Sequence, residues 1–310
     1  ALYTSVDANY STAVGANALK LATGGSNTAV GYAAGATVST GYKNAAFGTD
    51  ALGSNTSGAQ NCAFGYSALY DNTTASSNTA FGYEALGNNT TGAQNQALGA
   101  YTLAANTTGY YNVAVGYEAG KANTTGGGNI FIGHKAGDSS TTGSNNIAIG
   151  YEAMQAAQAG VHSTIAIGYR ALYALTNDTY NIAIGNSAGM DLTSGCCHTI
   201  IGHKAGENLT TVPNGTVVGY FAARDATTAD DITAIGRSAL ENVTTGNYNT
   251  GLGCNAGTNL TTGSNNLILG WGTTASSATV SNEITLGNSS ISTLRCQQTS
   301  ISSLSDERDK

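Results

Sequence analysis

Along nearly the whole chain, a short alternation of polar, small and large apolar positions closes on a glycine, as in Asn27-Thr28-Ala29-Val30-Gly31 and Asn181-Ile182-Ala183-Ile184-Gly185. The closing glycines are Gly15, Gly31, Gly48, Gly65, Gly82, Gly99, Gly116, Gly133, Gly150, Gly168, Gly185, Gly202, Gly219, Gly236, Gly253, Gly270 and Gly287, spaced 17 residues apart except for one step of 16 and one of 18. A period held through seventeen copies predicts stacked repeats, not a globule. Within each repeat the alternation predicts a strand over N-x-A-V-G and a second, shorter one over the following Y-x-A-L. Runs such as Asn89-Thr90-Thr91-Gly92 and Asn123-Thr124-Thr125-Gly126 supply the turns between them. The expected fold is all-β, a parallel β-solenoid of about seventeen coils, roughly 80 Å long at one strand spacing per coil.

The residue before each glycine is large and apolar in every copy, from Val14 and Phe47 through Ile149, Ile184 and Ile201 to Leu286. This column is expected to be the buried stack that fills the coil, so that Ile184→Ala should be costly. Two residues before the glycine Ala stands in eleven copies, and three residues after it Ala stands in fourteen. Neighbouring strand residues face opposite ways, so the strand is expected to be covered on both sides, with its Ala face against another chain. Identical repeats favour rotational symmetry among identical subunits, which predicts a homotrimeric fibre. The structural glycines, among them Gly31, Gly48, Gly65, Gly82, Gly116, Gly150, Gly185 and Gly236, call for a positive φ at the strand corner or the close approach of a neighbouring chain. The Asn four residues before each of many of them, as at Asn44, Asn61, Asn78 and Asn95, fits a side-chain ladder or a turn cap.

Composition agrees with ordered β-structure. Charged residues make up 9% of the 310-residue chain, while Val, Ile, Thr and Tyr are abundant, which separates it from disordered sequences. A net charge of −7 without a Lys/Arg cluster leaves no footprint for nucleic acid. No apolar run reaches the length of a membrane span, so membrane insertion is not expected. The chain opens on Ala1, not Met, and reads as a piece of a longer protein. Its five cysteines, Cys62, Cys196, Cys197, Cys254 and Cys296, have no paired metal-site spacing and read as free thiols, with the adjacent Cys196 and Cys197 open to cross-linking neighbouring chains. No cofactor or metal is implied.

The N-x-A-[VIL]-G repeat followed by Y-x-A-[LG] resembles the left-handed β-roll heads of trimeric autotransporter adhesins and the repeat shafts of phage tail fibres, over about residues 11 to 287. The final Ser305-Asp306-Glu307-Arg308-Asp309-Lys310 resembles the S-D-x-R-x-K opening of the endosialidase-type intramolecular chaperone that ends many phage tail fibres. The resemblance implies a shaft over 1–287, a neck over 288–304 and the first residues of a chaperone over 305–310. It further implies a trimeric segment of the virion tail, assembled in the host cytoplasm, with other tail proteins and a host cell-surface receptor, a glycan by expectation, as partners. By the same resemblance the precursor cleaves itself between Leu304 and Ser305, with Ser305 as nucleophile and Lys310 as general base. The adhesin head is the alternative reading.

Enzymatic chemistry beyond that cleavage is not expected. Glu84, Glu118 and Glu152 hold one repeat position in alternate coils and read as a sparse column on a solvated face, not as a glycosidase pair. Asp230-Asp231 reads as a solvated turn. Tyr66, Tyr83, Tyr117, Tyr151 and Tyr169 share one position with His134 and His203 and form a surface or interchain stack, on which sugar rings could also pack. The Thr-Thr pairs fall in turns and do not make the flat array of an ice-binding surface.

Overall fold

The computed structural model describes residues 10–158 and 160–295, and within them the chain is an all-β solenoid. Seventeen short strands run from β1 (Thr12–Val14) to β17 (Ile284–Leu286), each parallel to its neighbours in sequence, in one continuous sheet. Equivalent residues face each other throughout, as Ala63 faces Ala80 and Phe64 faces Phe81. The coil from Gly65 to Phe81 serves as the reference below, and columns are named after its residues.

The expected second strand over Y-x-A-L does not form. In the reference coil Ser67 (φ 51) and Leu69 (φ 52) are left-handed, and so is Ser77 (φ 63) before the strand. A left-handed non-glycine residue costs about 1–2 kcal/mol, so something must hold it there. Each of the three aims its N–H at an adjacent coil: Ser67 to the Thr49 carbonyl, Leu69 to that of Ala85 and Ser77 to that of Ala59, all at 3.0 Å. The coil thus turns by single-residue corners and stays hydrogen-bonded along the axis.

The closing glycine makes the sharpest corner. Gly65 has φ +137, and a Cβ there would lie 2.2 Å from the Gly82 carbonyl oxygen of the next coil; Gly82, Gly116, Gly150 and Gly185 repeat this geometry. Both the backbone region and the close approach demand glycine, and the approaching group is the next coil of the same chain.

The inside of the coil is the reverse of the sequence expectation. The Ala80 column points inward and is fully buried, together with Ala68, Leu69, Asn72 and Asn78. The large residues of the Phe81 column point outward: Phe81 is 51% exposed, Leu98 50% and Ile184 37%. Alanine stands inside because the lumen is narrow, not because another chain approaches. The exceptions show the volume limit. In β8 (Ile130–Ile132) the inward residue is Phe131, and the Leu69 column holds glycine both in the same coil and in the next, where a Cβ on Gly120 would meet the ring at 2.5 Å and one on Gly137 at 2.3 Å. Conversely Gly251 replaces the inward Ala beside Leu240, where a Cβ would lie 2.7 Å from Leu240 Cγ.

Two asparagine columns line the lumen. In the Asn78 column each Oδ1 accepts the next coil's backbone N–H, as Asn61 Oδ1 does from Asn78 N at 3.0 Å, while Asn78 Nδ2 donates to the Gly92 carbonyl at 2.9 Å. It is ladder and turn cap at once. In the Asn72 column the amides bond directly, Asn72 Nδ2 to Asn55 Oδ1 and Asn89 Nδ2 to Asn72 Oδ1, each at 2.9 Å. The Asn78 column bridges both irregular steps: Asn27 N reaches Ser11 Oγ across the shorter one and Thr164 N reaches Asn146 Oδ1 across the longer, each at 3.1 Å.

Candidate functional site

Three faces follow from these corners. The outer strand face carries the Thr79 and Phe81 columns, neither of which holds a charged residue in any of the seventeen strands. In the C-terminal two-thirds it is mainly aliphatic, with Ile130, Ile147, Ile165 and Ile182 beside Ile132, Ile149, Ile167 and Ile184. Toward the N-terminus Phe47, Phe64 and Phe81 stack along the axis, with centroids 4.2 and 5.0 Å apart. An apolar stripe therefore runs the full length of the sheet, partly open to solvent at each coil.

The second face follows the closing glycine. Seventeen of the twenty-two charged residues between Tyr10 and Gly287 stand within six residues after a closing glycine, so charge is segregated away from the apolar stripe. Here the glycine corner throws the next side chain outward and brings all five tyrosines named from the sequence into one column. Tyr66 stacks on Tyr83 at 5.2 Å, and Tyr117, His134, Tyr151 and Tyr169 form a continuous stack with centroids 5.5, 5.0 and 5.4 Å apart. Where Ala100 interrupts the column, Tyr101 from the neighbouring position fills the gap, edge-on to Tyr83 and Tyr117. Rings stacked face to face offer a ligand their edges and hydroxyls, while their faces are covered except where a stack ends.

Beneath the rings lie the carboxylates. Tyr83, Tyr117 and Tyr151 donate hydroxyl hydrogen bonds to Glu84, Glu118 and Glu152, which pushes the Tyr83 hydroxyl up to about 12 and raises the other two. Glu118 and Glu152 do not form the solvated column expected of them. Their side chains are 11% exposed, with Glu118 paired to Lys121 at 2.8 Å and Lys135 at 3.5 Å, and Glu152 to Arg170 at 2.8 Å. The hydrogen bond from Lys121 holds the Glu118 carboxyl below its usual range, so this group stays ionised and is a poor proton donor. Arg170 also lies over the Tyr169 and Tyr173 rings, with its guanidinium 5.3 and 5.1 Å from their centroids. The result is a rigid outer face of aromatic edges, hydroxyls and paired charges. A shallow groove of about 330 Å³ opens on it between Ser67, Tyr70, Asp71, Glu84 and Asn88.

The third face is the threonine turn. Thr73 Oγ1 donates to the Thr90 carbonyl at 3.1 Å and Thr90 Oγ1 to that of Thr107 at 3.0 Å, so this column serves axial bonding. Asp230, expected to be solvated, has its Oδ1 buried without a partner. His198 is buried in the Asn78 column; its Nε2 lies 2.7 Å from the Val212 carbonyl and its Nδ1 is unpartnered. The place of His198 was legible from its spacing, four residues before Gly202 where many coils carry Asn, whereas the burial of Asp230 Oδ1 has no signature in the sequence. Cys62, Cys196, Cys197 and Cys254 are free. Among the described residues no group of three or more His, Cys, Asp or Glu side chains could hold a metal, and no helix is long and apolar enough to cross a membrane. Ser305 and Lys310 lie outside the described residues. No protein-family model matches the chain, and no curated protein matches it.

Proposed function

We propose that this chain is a structural and receptor-binding segment of a trimeric fibre, in which three solenoids pack side by side through their apolar strand faces and display the tyrosine face outward. The observation that carries this reading is the uncharged apolar stripe, which runs the length of the sheet and is divided by the glycine corner from the segment where the charges are concentrated. Soluble monomers rarely leave so long a contiguous apolar surface open, and a stripe repeating every coil suits identical partners of the same pitch. Light scattering of the purified chain should give three chain masses, and Ile149→Asp together with Ile184→Asp should lower it to one. A single-chain mass for the unsubstituted protein overturns the reading.

The assignment of this fibre to a phage tail, with a host-surface glycan as receptor, rests on the Ser305–Lys310 resemblance and on the outward tyrosine column. Ring edges, hydroxyls and paired ions favour a polar, hydroxyl-rich ligand over an apolar one. Glycan-array binding by the trimer, lost on Tyr151→Ala with Tyr169→Ala, tests the receptor class. A precursor extended through the natural C-terminus should yield a chain ending at Leu304, and Ser305→Ala should leave it uncut. No polysaccharide cleavage is proposed, since Glu118 and Glu152 are each neutralised by a basic partner.

A further inference from the structure

Cys196 and Cys197 occupy the corner just before the strand, where the second residue of the pair is left-handed: Cys197 has φ 67. That corner turns two consecutive side chains toward each other. At the same two positions five coils earlier, Tyr110 and Tyr111 meet edge to face with centroids 5.1 Å apart, although neighbours on a regular strand point to opposite faces. In the cysteine pair, Cys197 Sγ lies 2.9 Å from Cys196 Sγ. The backbone around them is anchored, with Gly195 N–H donating to Asp178 Oδ2 at 2.6 Å and the Cys196 carbonyl accepting from Asn214 N at 3.0 Å. Cys197 is exposed and Cys196 half-buried, so a small thiol reagent can reach them.

From this contact and the corner that enforces it, we infer that Cys196 and Cys197 are a redox modification site which closes to a vicinal disulfide within one chain. With a low-molecular-weight disulfide as oxidant, one cysteine thiolate attacks a sulfur of the reagent and expels a thiolate, giving a mixed disulfide. The neighbouring thiolate then attacks that cysteine's Sγ and expels the second thiolate. Two cysteine thiols are oxidised, one disulfide reagent is reduced to two thiols, and the two protons pass to those leaving groups. Cα atoms joined by one trans peptide are about 3.8 Å apart, below the usual disulfide span of about 4.4–6.8 Å. The bond is therefore strained and belongs to the readily reduced class. The corner is closed outside a reducing compartment and opens under mild reductant.

Glutathione disulfide applied to the native chain tests this. The expected result is a loss of about 2 Da per chain, no disulfide-linked species on a non-reducing gel, and resistance of both Cys196 and Cys197 to iodoacetamide until reductant is added. Cys197→Ser should abolish the mass loss and leave a stable glutathione adduct on Cys196. Alkylation of both residues after oxidant treatment, or a disulfide linking Cys196 or Cys197 of one chain to another, overturns the inference, and the unsubstituted chain alone decides this if the variant does not fold.

Discussion

The solenoid has two interiors. From Asn55 to Asn123 the Asn72 column is five asparagines in succession, bonded amide to amide; from Ala157 to Leu260 the same column reads Ala157, Leu175, Leu192, Leu209, Ala226, Val243 and Leu260. The Asn78 column changes as well, running unbroken from Asn27 to Asn146 and later passing through His198, Gly215 and Ile232. There the backbone takes over from the side chains: β12 (His198–Ile201), β13 (Gly215–Val218) and β14 (Ile232–Ile235) are each one residue longer than the others. Corners, period and register are the same in both halves. What fixes the coil is the glycine and the left-handed corners, while the filling needs the right volume and partners for most of its polar atoms, His198 Nδ1 and Asp230 Oδ1 being exceptions.

The largest effect should come from moving the chemistry of one half into the other. Leu192→Asn places an amide between Leu175 and Leu209, where no ladder partner exists, and should cost about 4 kcal/mol in denaturant unfolding of the C-terminal half. If the cost is under about 1 kcal/mol, the two interiors are interchangeable residue by residue and the contrast is empty. A shared feature should respond alike in both halves: Gly82→Ala and Gly185→Ala should each cost about 3 kcal/mol, more than Ala183→Gly, because the added Cβ meets a backbone oxygen at 2.3 Å in each case. Somewhat smaller is Asn89→Ala. It leaves Asn72 Oδ1, the Gly92 carbonyl and Asn106 Nδ2 each short of one bond and should cost about 2–3 kcal/mol, read as faster amide exchange in the N-terminal half alone.

The smallest effect concerns pH. Burial holds the His198 imidazole below its ordinary value, against weaker opposing influences from the Val212 carbonyl and Asp230. The unfolded chain then binds a proton first as pH falls through about 6.5, so this contribution is full above that value and declines below it. His198→Asn restores the ladder residue. It should flatten the decline between pH 7 and about 5.5, and an unchanged slope would assign the acid sensitivity elsewhere.

Much of this was legible in the sequence. The glycine period, the strand at each repeat and the Asn78 ladder follow from spacing and residue type alone. Which face was inside did not follow, because alternating Ala and Ile looks the same with either face inward when both are apolar. The deciding signal was in the exceptions: Phe131 replaces the inward Ala where Gly120 and Gly137 replace the large residue of the Leu69 column, a compensation that only shared interior space requires. The Y-x-A-L segment looked like a strand because left-handed Glu84, Leu86 or Arg170 has no signature in sequence; the adjacent coils impose it. Glu118 looked solvated because its partners Lys121 and Lys135 are three and seventeen residues away, on this coil and the next.

The axial direction of the hydrogen bonds has a mechanical consequence. A pull on the two ends of the solenoid loads all bonds between two coils in parallel and the successive coil boundaries in series. Yield should therefore begin at the boundary with the fewest bonds in total, and at Gly215 the missing side-chain rung is offset by the extra ladder residue of β13 (Gly215–Val218). A break at one boundary would leave the coils on either side of it wound, so that an overloaded solenoid would part instead of unravelling.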